Sequence, residues 1–333
     1  MARRCRHSRR GRFLLTAVGR VVLRIGQALF IGFVCSVVVF LLVRIVPGSP
    51  ARGILGTKAN AQEVAALTAQ LHLNLPLWRQ FTAYFEGLLR GKLGWSLITP
   101  GKSVAGVIIS TLPITLSLVL VSILLSTIIG VVAGLVAALS HRRGIDSGVR
   151  VISAALLSMP PFFTALLLIL FLALDTHLLP ATGWGTGWAN DLPYLVLPSV
   201  ALSGFLAPFV TRAVRQSALD VWNQEFVDAA IARGVPPWLL VIKHVLPNCL
   251  LPVVTLVGLN IGSLIAGAVV VETLFAIPGI GSQLVQAVAL RDYPIIQGIT
   301  LVMALLVVVA NMTTDIVYLL VDPRTRHQRV GAR

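Results

Sequence analysis

The chain has 333 residues, 56% of them hydrophobic and 12% charged, with a mean hydropathy of +0.89. Soluble domains carry about twice that charged fraction, so the composition excludes an ordinary soluble globular protein and describes an all-α polytopic membrane protein. The net charge of +15 does not make it a nucleic-acid binder, because arginine and lysine sit at the ends of apolar runs rather than on one compact face.

Residues 1–24 hold eight arginines and read as a basic cytoplasmic tail that fixes orientation. The apolar run from Ile25 to Val43 is longer than the core of a signal peptide, and no small-residue cleavage site follows it. At 1.5 Å per residue it spans about 28 Å, close to the hydrocarbon thickness. Residues 25–46 are therefore the first transmembrane helix, with Arg44 snorkelling at its far end.

Residues 47–110 form the one long polar insertion, expected outside the membrane. Pro47-Gly48-Ser49-Pro50 breaks the first helix. Asn60 with Glu63 three residues on has the spacing of a capping box that opens a short helix. Leu77, Phe81, Tyr84, Phe85 and Leu88 recur at helical spacing, an apolar stripe for packing on the outer membrane surface or on the transmembrane core. Thr99-Pro100-Gly101-Lys102-Ser103 ends like a phosphate-binding loop, but the glycine required five residues earlier is Ser96. No apolar strand precedes it, so nucleotide binding is rejected for this chain.

Five more apolar runs follow, over Thr111–Ser140, Val151–Leu174, Leu192–Thr211, Cys249–Val271 and Ile295–Thr314, the last extended by Ile316–Val321. Each is long enough to cross a bilayer, which makes six transmembrane helices and a core over 111–321. Gly130 and Gly134, and likewise Gly258 and Gly262, have the spacing that permits close helix contact. Pro160-Pro161 kinks the third run. Cys5, Cys35 and Cys249 are scattered and outline neither a disulfide framework nor a metal site.

With the N-terminus inside, residues 1–24, 141–150, 212–248 and 322–333 are cytoplasmic and hold 19 of the 27 lysines and arginines, as the positive-inside rule requires. Both termini are then cytoplasmic. Trp184 and Trp188 fall in the external segment 175–191, at the depth of an aromatic belt. Asn260, Gln297 and Asn311 are polar groups inside spans. They fit a solute path or, more commonly, hydrogen bonds between helices. Glu272 and Asp315 are ionisable groups at span ends. The residues present no nucleophile–base arrangement and no metal-ligand spacing, so no catalysis of the chain's own is expected.

The most informative stretch lies between the fourth and fifth runs, from Gln224 to Pro252, within a cytoplasmic loop over 215–248. It is amphipathic, and Gly234-Val235-Pro236-Pro237 divides it. Gly234 can take a positive φ and end a helix, while Pro236 and Pro237 tolerate only the first turn of the next. Ala229 and Ala230 leave a flat surface for another protein's backbone. An ordinary surface helix-turn-helix fits the same residues. Asp228-Ala229-Ala230, Gly234 and Leu246-Pro247 resemble the cytoplasmic loop of bacterial ABC importer permeases, with Asp228 where the family usually has glutamate. The Glu272-to-Gly281 segment, Arg291-Asp292-Tyr293-Pro294 and the Asp322-Pro323-Arg324 end resemble further motifs of that family. The turn Gly91-Lys92-Leu93-Gly94-Trp95-Ser96 is similar to one in its dipeptide, oligopeptide and nickel branch, although Lys92 replaces the usual acid and His72 the usual glycine.

The resemblance covers about residues 20–325 and implies a type I ABC importer permease fold with the external insertion between helices 1 and 2. It implies that Asp228, Ala229, Ala230, Gly234, Val235, Pro236, Leu246 and Pro247 couple to an ATPase. It also implies the partners: a second homologous permease subunit, two cytoplasmic ABC ATPases that carry ATP and magnesium, and an external solute-binding protein, all at a bacterial inner membrane. Asn260, Glu272, Gln297 and Asn311 are the candidates for the solute path, with capping or gating of the outer mouth weighed for Glu272 rather than proton relay. Short peptides are the expected cargo and nickel the alternative. A secondary transporter is the alternative of a different class. It would more often show an ionisable residue at mid-membrane and an inverted repeat.

Overall fold

The computed structural model describes residues 26–41 apart from residue 28, then 60–70, 74–140, 142–185 and 187–321. The arginine-rich tail, Pro47–Pro50, His72 and Asp322-Pro323-Arg324 lie outside the described residues, as does the side chain of Asp315. The described chain is helical, with one isolated antiparallel bridge between Trp95 and Ser103. Its helices are α1 (Leu29–Leu41), α2 (Ala61–Gln70), α3 (Leu77–Leu89), α4 (Val104–Leu139), α5 (Arg143–Ser158), α6 (Pro161–Leu168), α7 (Trp188–Trp222), α8 (Glu225–Ala232), α9 (Pro237–Leu240), α10 (Leu246–Leu274), α11 (Ile280–Leu290) and α12 (Tyr293–Val321). π-Helical turns at Ile169–Asp175 and Val241–Val245 continue α6 and join α9 to α10.

Among the described residues, four helices are long and apolar enough to cross a bilayer, over Val104–Leu139, Asn190–Trp222, Pro237–Leu274 and Tyr293–Thr314. A fifth span exists if α5 and the arm Pro161–Asp175 count as one, although 106° separates the two. The sequence expected a kinked single helix over Val151–Leu174. The sharper break has a local cause: Pro160 and Pro161 each lack an amide proton, and Met159 is held extended at ψ 123° before them. The first expected span is described only through α1.

The chain divides into two compact units. The first holds residues 1–105 and 287–312, the second 106–286 and 313–333. In the first unit the stripe on α3 meets α1. Phe33 lies edge-on to Phe81 and Phe85, and Phe40 packs against Phe81 and Tyr84. The Asn60 capping box forms as read: Asn60 Oδ1 accepts from the amides of Gln62 and Glu63, and the Asn60 amide donates to Glu63 Oε2. Asp292 locks the Trp95–Ser103 loop. Its carboxylate accepts from the Ser96 hydroxyl and, at 3.2 Å, from the Leu97 amide. Both Asp292 and Ser96 are buried.

In the second unit α7 is the central helix. Two thirds (67%) of its most apolar window is buried, against 28% for α4 and 28% for the Pro237–Leu274 span. It packs on α5, α6 and α10. Its contact with α4 rests on glycines: a Cβ on Gly130 would fall 2.5 Å from Val210 Cβ, and one on Gly134 would fall 2.8 Å from the Thr211 carbonyl oxygen. Buried Ser122, Ser126 and Thr211 return their hydroxyls to carbonyls four residues back, which satisfies polar groups where lipid offers no partner. α4 begins at Val104, before the apolar run at Thr111, because the charge-free segment behind Ser103 continues the helix. α11 was not expected at all.

Candidate functional site

The Gln224–Pro252 stretch folds as a helix hairpin continuous with the second unit's long helices. Gln224 is extended (ψ 143°) and starts α8, whose first turn carries Glu225 and Asp228 where the helix dipole favours negative charge. α8 ends in a Schellman turn. The Gly234 amide donates to the Ile231 carbonyl at 2.9 Å, and the Val235 amide donates to the Ala230 carbonyl at 3.1 Å. Gly234 sits at φ +79°, the left-handed region that a side chain strains. Pro236 then caps α9 from an extended conformation (ψ 140°), and Pro237 fills the first helical position, where its missing amide costs nothing.

Asp228, Ala229, Gly234 and Pro236 are exposed, and Ala230 and Val235 are half-buried. Phe226, Ile231, Trp238 and Ile242 add exposed apolar side chains around the same turn. Inward, Val227, Leu240 and Val245 are buried, and the Phe226 ring lies 5.7 Å from the His244 ring. The hairpin is thus anchored by one face and presents an acidic, small-residue, apolar surface on the other. Leu246, half-buried, and Pro247, exposed, open α10 directly after the π turn. Pro247 clashes with the straight α-helical path over the Lys243 carbonyl. The chain widens instead into the π turn, closed by the Leu246 amide donating to the Val241 carbonyl.

Glu272 is fully buried, at 0% exposure. Its Oε1 accepts from the Thr115 hydroxyl at 2.6 Å, and its Oε2 accepts from the amides of Gly281 and Ser282 at 2.8 and 3.1 Å. Thr115 Oγ1 also accepts from the Ile280 amide at 2.8 Å. The carboxyl therefore caps α11 and ties α4, α10 and α11 together. Gly279 packs against this carboxyl so closely that any Cβ there would overlap it. Ala276, at φ +51°, turns the chain back to make the loop. Both carboxyl oxygens of Glu272 are thus taken up by hydrogen bonds.

The other path candidates lie on α10 and α12. Asn260 is half-buried and donates to the Leu256 carbonyl at 2.9 Å on its own helix, about 18 Å along α10 from Glu272. Gln297 is half-buried and Asn311 exposed, about 21 Å apart along α12. Among the described residues no group of three His, Cys, Asp or Glu side chains is placed to hold a metal ion. Sequence reasoning missed Thr115 and the Ser96–Asp292 pair. The signal for the latter was present in two family-like turns, but nothing in a linear reading pairs residues 196 positions apart.

Residues 130–327 match the family described as binding-protein-dependent transport system inner membrane component, and residues 18–119 match the N-terminal membrane component of such systems. The glutathione transport system permease protein GsiC of Escherichia coli is 36% identical over 296 residues, covering 89% of this chain and 95% of that protein. The probable peptide ABC transporter permease protein y4tP of Sinorhizobium fredii is 35% identical over 295 residues, with 88% and 94% covered. Among solved structures, an inward-facing form of the MetNI methionine ABC transporter aligns with 65% of this chain and 96% of the matched one, with a TM-score of 0.55 at 19% identity, a likeness of fold. The chain belongs to the family of inner membrane components of binding-protein-dependent transport systems.

Proposed function

We propose that this chain is the permease subunit of an ATP-driven importer of short peptides, and that the α8–α9 hairpin couples it to a separate ATPase. The observation that carries the coupling role is the hairpin's exposed face. A surface with Asp228, Ala229, Phe226 and Ile231 on α8 and Trp238 on α9, anchored below by buried Val227, Leu240 and Val245, suits a cleft in another protein. The peptide assignment is supported by two relatives, named for glutathione and peptide transport, that align over almost nine tenths of this chain.

The complex on this reading has a second homologous permease subunit, two cytoplasmic ABC ATPases with ATP and magnesium, and an external solute-binding protein. The permease itself hydrolyses nothing. Both termini and the hairpin are cytoplasmic, and residues 47–110 are external, on the charge distribution given above. ATP favours one conformer of the ATPase pair, and the hairpin transmits that difference to the spans as a population shift. A path for peptides of varied side chains needs space and water rather than fixed charges, and the spans are poor in charge.

The test is uptake of labelled di- to pentapeptides by vesicles holding the assembled complex, with ATP inside and binding protein outside. Accumulation is expected only when both are present. Uptake by the chain alone, driven by a proton or sodium gradient, would make it a secondary transporter. ATP-dependent uptake of nickel without peptide would overturn the solute and leave the class standing.

A further inference from the structure

α5 runs antiparallel beside α7 in the second unit. At one end Arg215 Nε and Nη2 donate to both oxygens of Asp146, at 2.6 and 3.0 Å; at the other a Cβ on Gly204 would lie 3.9 Å from Leu156 Cδ2. Between them lies an open groove of 460 Å³ whose lining includes Arg150, Arg212, Arg215, Ser153, Thr211 and Ala154. Three arginines line it. Asp146 takes Arg215 and, at 3.3 Å, Arg150, whereas Arg212 has no ion pair among the described residues. The surplus is two positive charges beside walls of small side chains.

The depth of the groove is set by the sequence. Arg212 is the first charged residue after the apolar run Leu192–Thr211, so it stands where hydrocarbon gives way to headgroups. A cationic groove at that depth matches an anionic lipid in its parts: a phosphate among the arginines, and acyl chains in the hydrocarbon alongside. Arginine's planar fork suits phosphate oxygens. We propose that this groove binds the phosphate of an anionic phospholipid, which thereby bridges α5 and α7 at the membrane surface.

The full chain, copurified with its partner subunits, is titrated with dioctanoyl phosphatidylglycerol, with dioctanoyl phosphatidylcholine and with inorganic phosphate, and bound molecules are counted by native mass spectrometry. The native chain is expected to prefer phosphatidylglycerol over phosphatidylcholine by about tenfold. The Arg150→Gln/Arg212→Gln variant loses that preference, and Arg212→Lys retains most of it because the charge remains. The Asp146–Arg215 pair is untouched in these variants, and the comparison of the two lipids on the native chain needs no variant. Equal binding of both lipids by the native chain would overturn the proposal, as would an undiminished preference in the double variant. Saturable phosphate binding without any lipid preference would overturn the lipid assignment in favour of a soluble anion.

Discussion

Glu272→Ala is expected to unfold about 10 °C below the native chain in detergent. The deletion leaves the Thr115 hydroxyl and the amides of Gly281 and Ser282 without their acceptor, in a site at 0% exposure. A buried donor stripped of its partner costs about 1–3 kcal/mol, and the empty space left by the side chain adds to that. Three donors losing one acceptor group, together with the cavity, bring the loss to about 3–5 kcal/mol. Glu272→Gln keeps one acceptor oxygen but turns an amide donor toward other donors, so its unfolding temperature falls between the two. The check is thermal unfolding of the solubilised chain in the order native, Gln, Ala. A Glu272→Ala variant that unfolds with the native chain would mean the carboxyl does not hold α11 in place.

Gly130→Leu is expected to prevent the close approach of α4 to α7 and to cut the yield of folded protein. Even a single added carbon there falls 2.5 Å from Val210 Cβ and 3.0 Å from the Ala207 carbonyl oxygen. The second of these is backbone and cannot rotate away, so the helices must separate. Overpacking of this kind costs about 1–3 kcal/mol and more when backbone has to move; association of helices in a membrane depends on just such contacts. Gly148→Ala is the control. No atom lies within 4 Å of its added carbon, and alanine is the better helix former by about 1 kcal/mol. Folded yield is read by size-exclusion chromatography, with Gly148→Ala matching the native chain and Gly130→Leu far below it. Equal yields from Gly130→Leu and Gly148→Ala would show that the α4–α7 contact tolerates separation.

The features legible in the sequence are those whose cause is local. The capping box at Asn60, the left-handed turn at Gly234 and the apolar stripe of α3 each follow from residues a few positions apart, and each has its counterpart in the structure. The apolar runs locate long helices for the same reason, since hydropathy is a sum over neighbours. Run ends are less informative: α5 starts at Arg143, two turns before its apolar segment at Val151, because a helix continues until its hydrogen bonding is broken, not until its hydropathy falls. The arrangements that could not be read are made across distance. Thr115 meets Glu272 over 157 positions and Ser96 meets Asp292 over 196, and a serine or threonine inside an apolar run gives no sign of which carboxyl it will find. Glu272 illustrates the consequence. Its charge at a span end marks it as functional by default, and its hydrogen bonds assign it to holding three helices together.

The most direct test of the hairpin's role is a pair of single cysteines in a background lacking Cys5, Cys35 and Cys249. Ala229→Cys lies on the exposed face of α8, and Lys92→Cys lies on the exposed turn after α3. In the assembled complex Ala229→Cys is expected to form a disulfide with a cysteine placed in the ATPase cleft and to escape a membrane-impermeant reagent applied from outside. Lys92→Cys is expected to react with that reagent and to form no crosslink with the ATPase. Crosslinking from position 92, or external labelling at position 229, would contradict both the orientation of the chain and the coupling assigned to the hairpin.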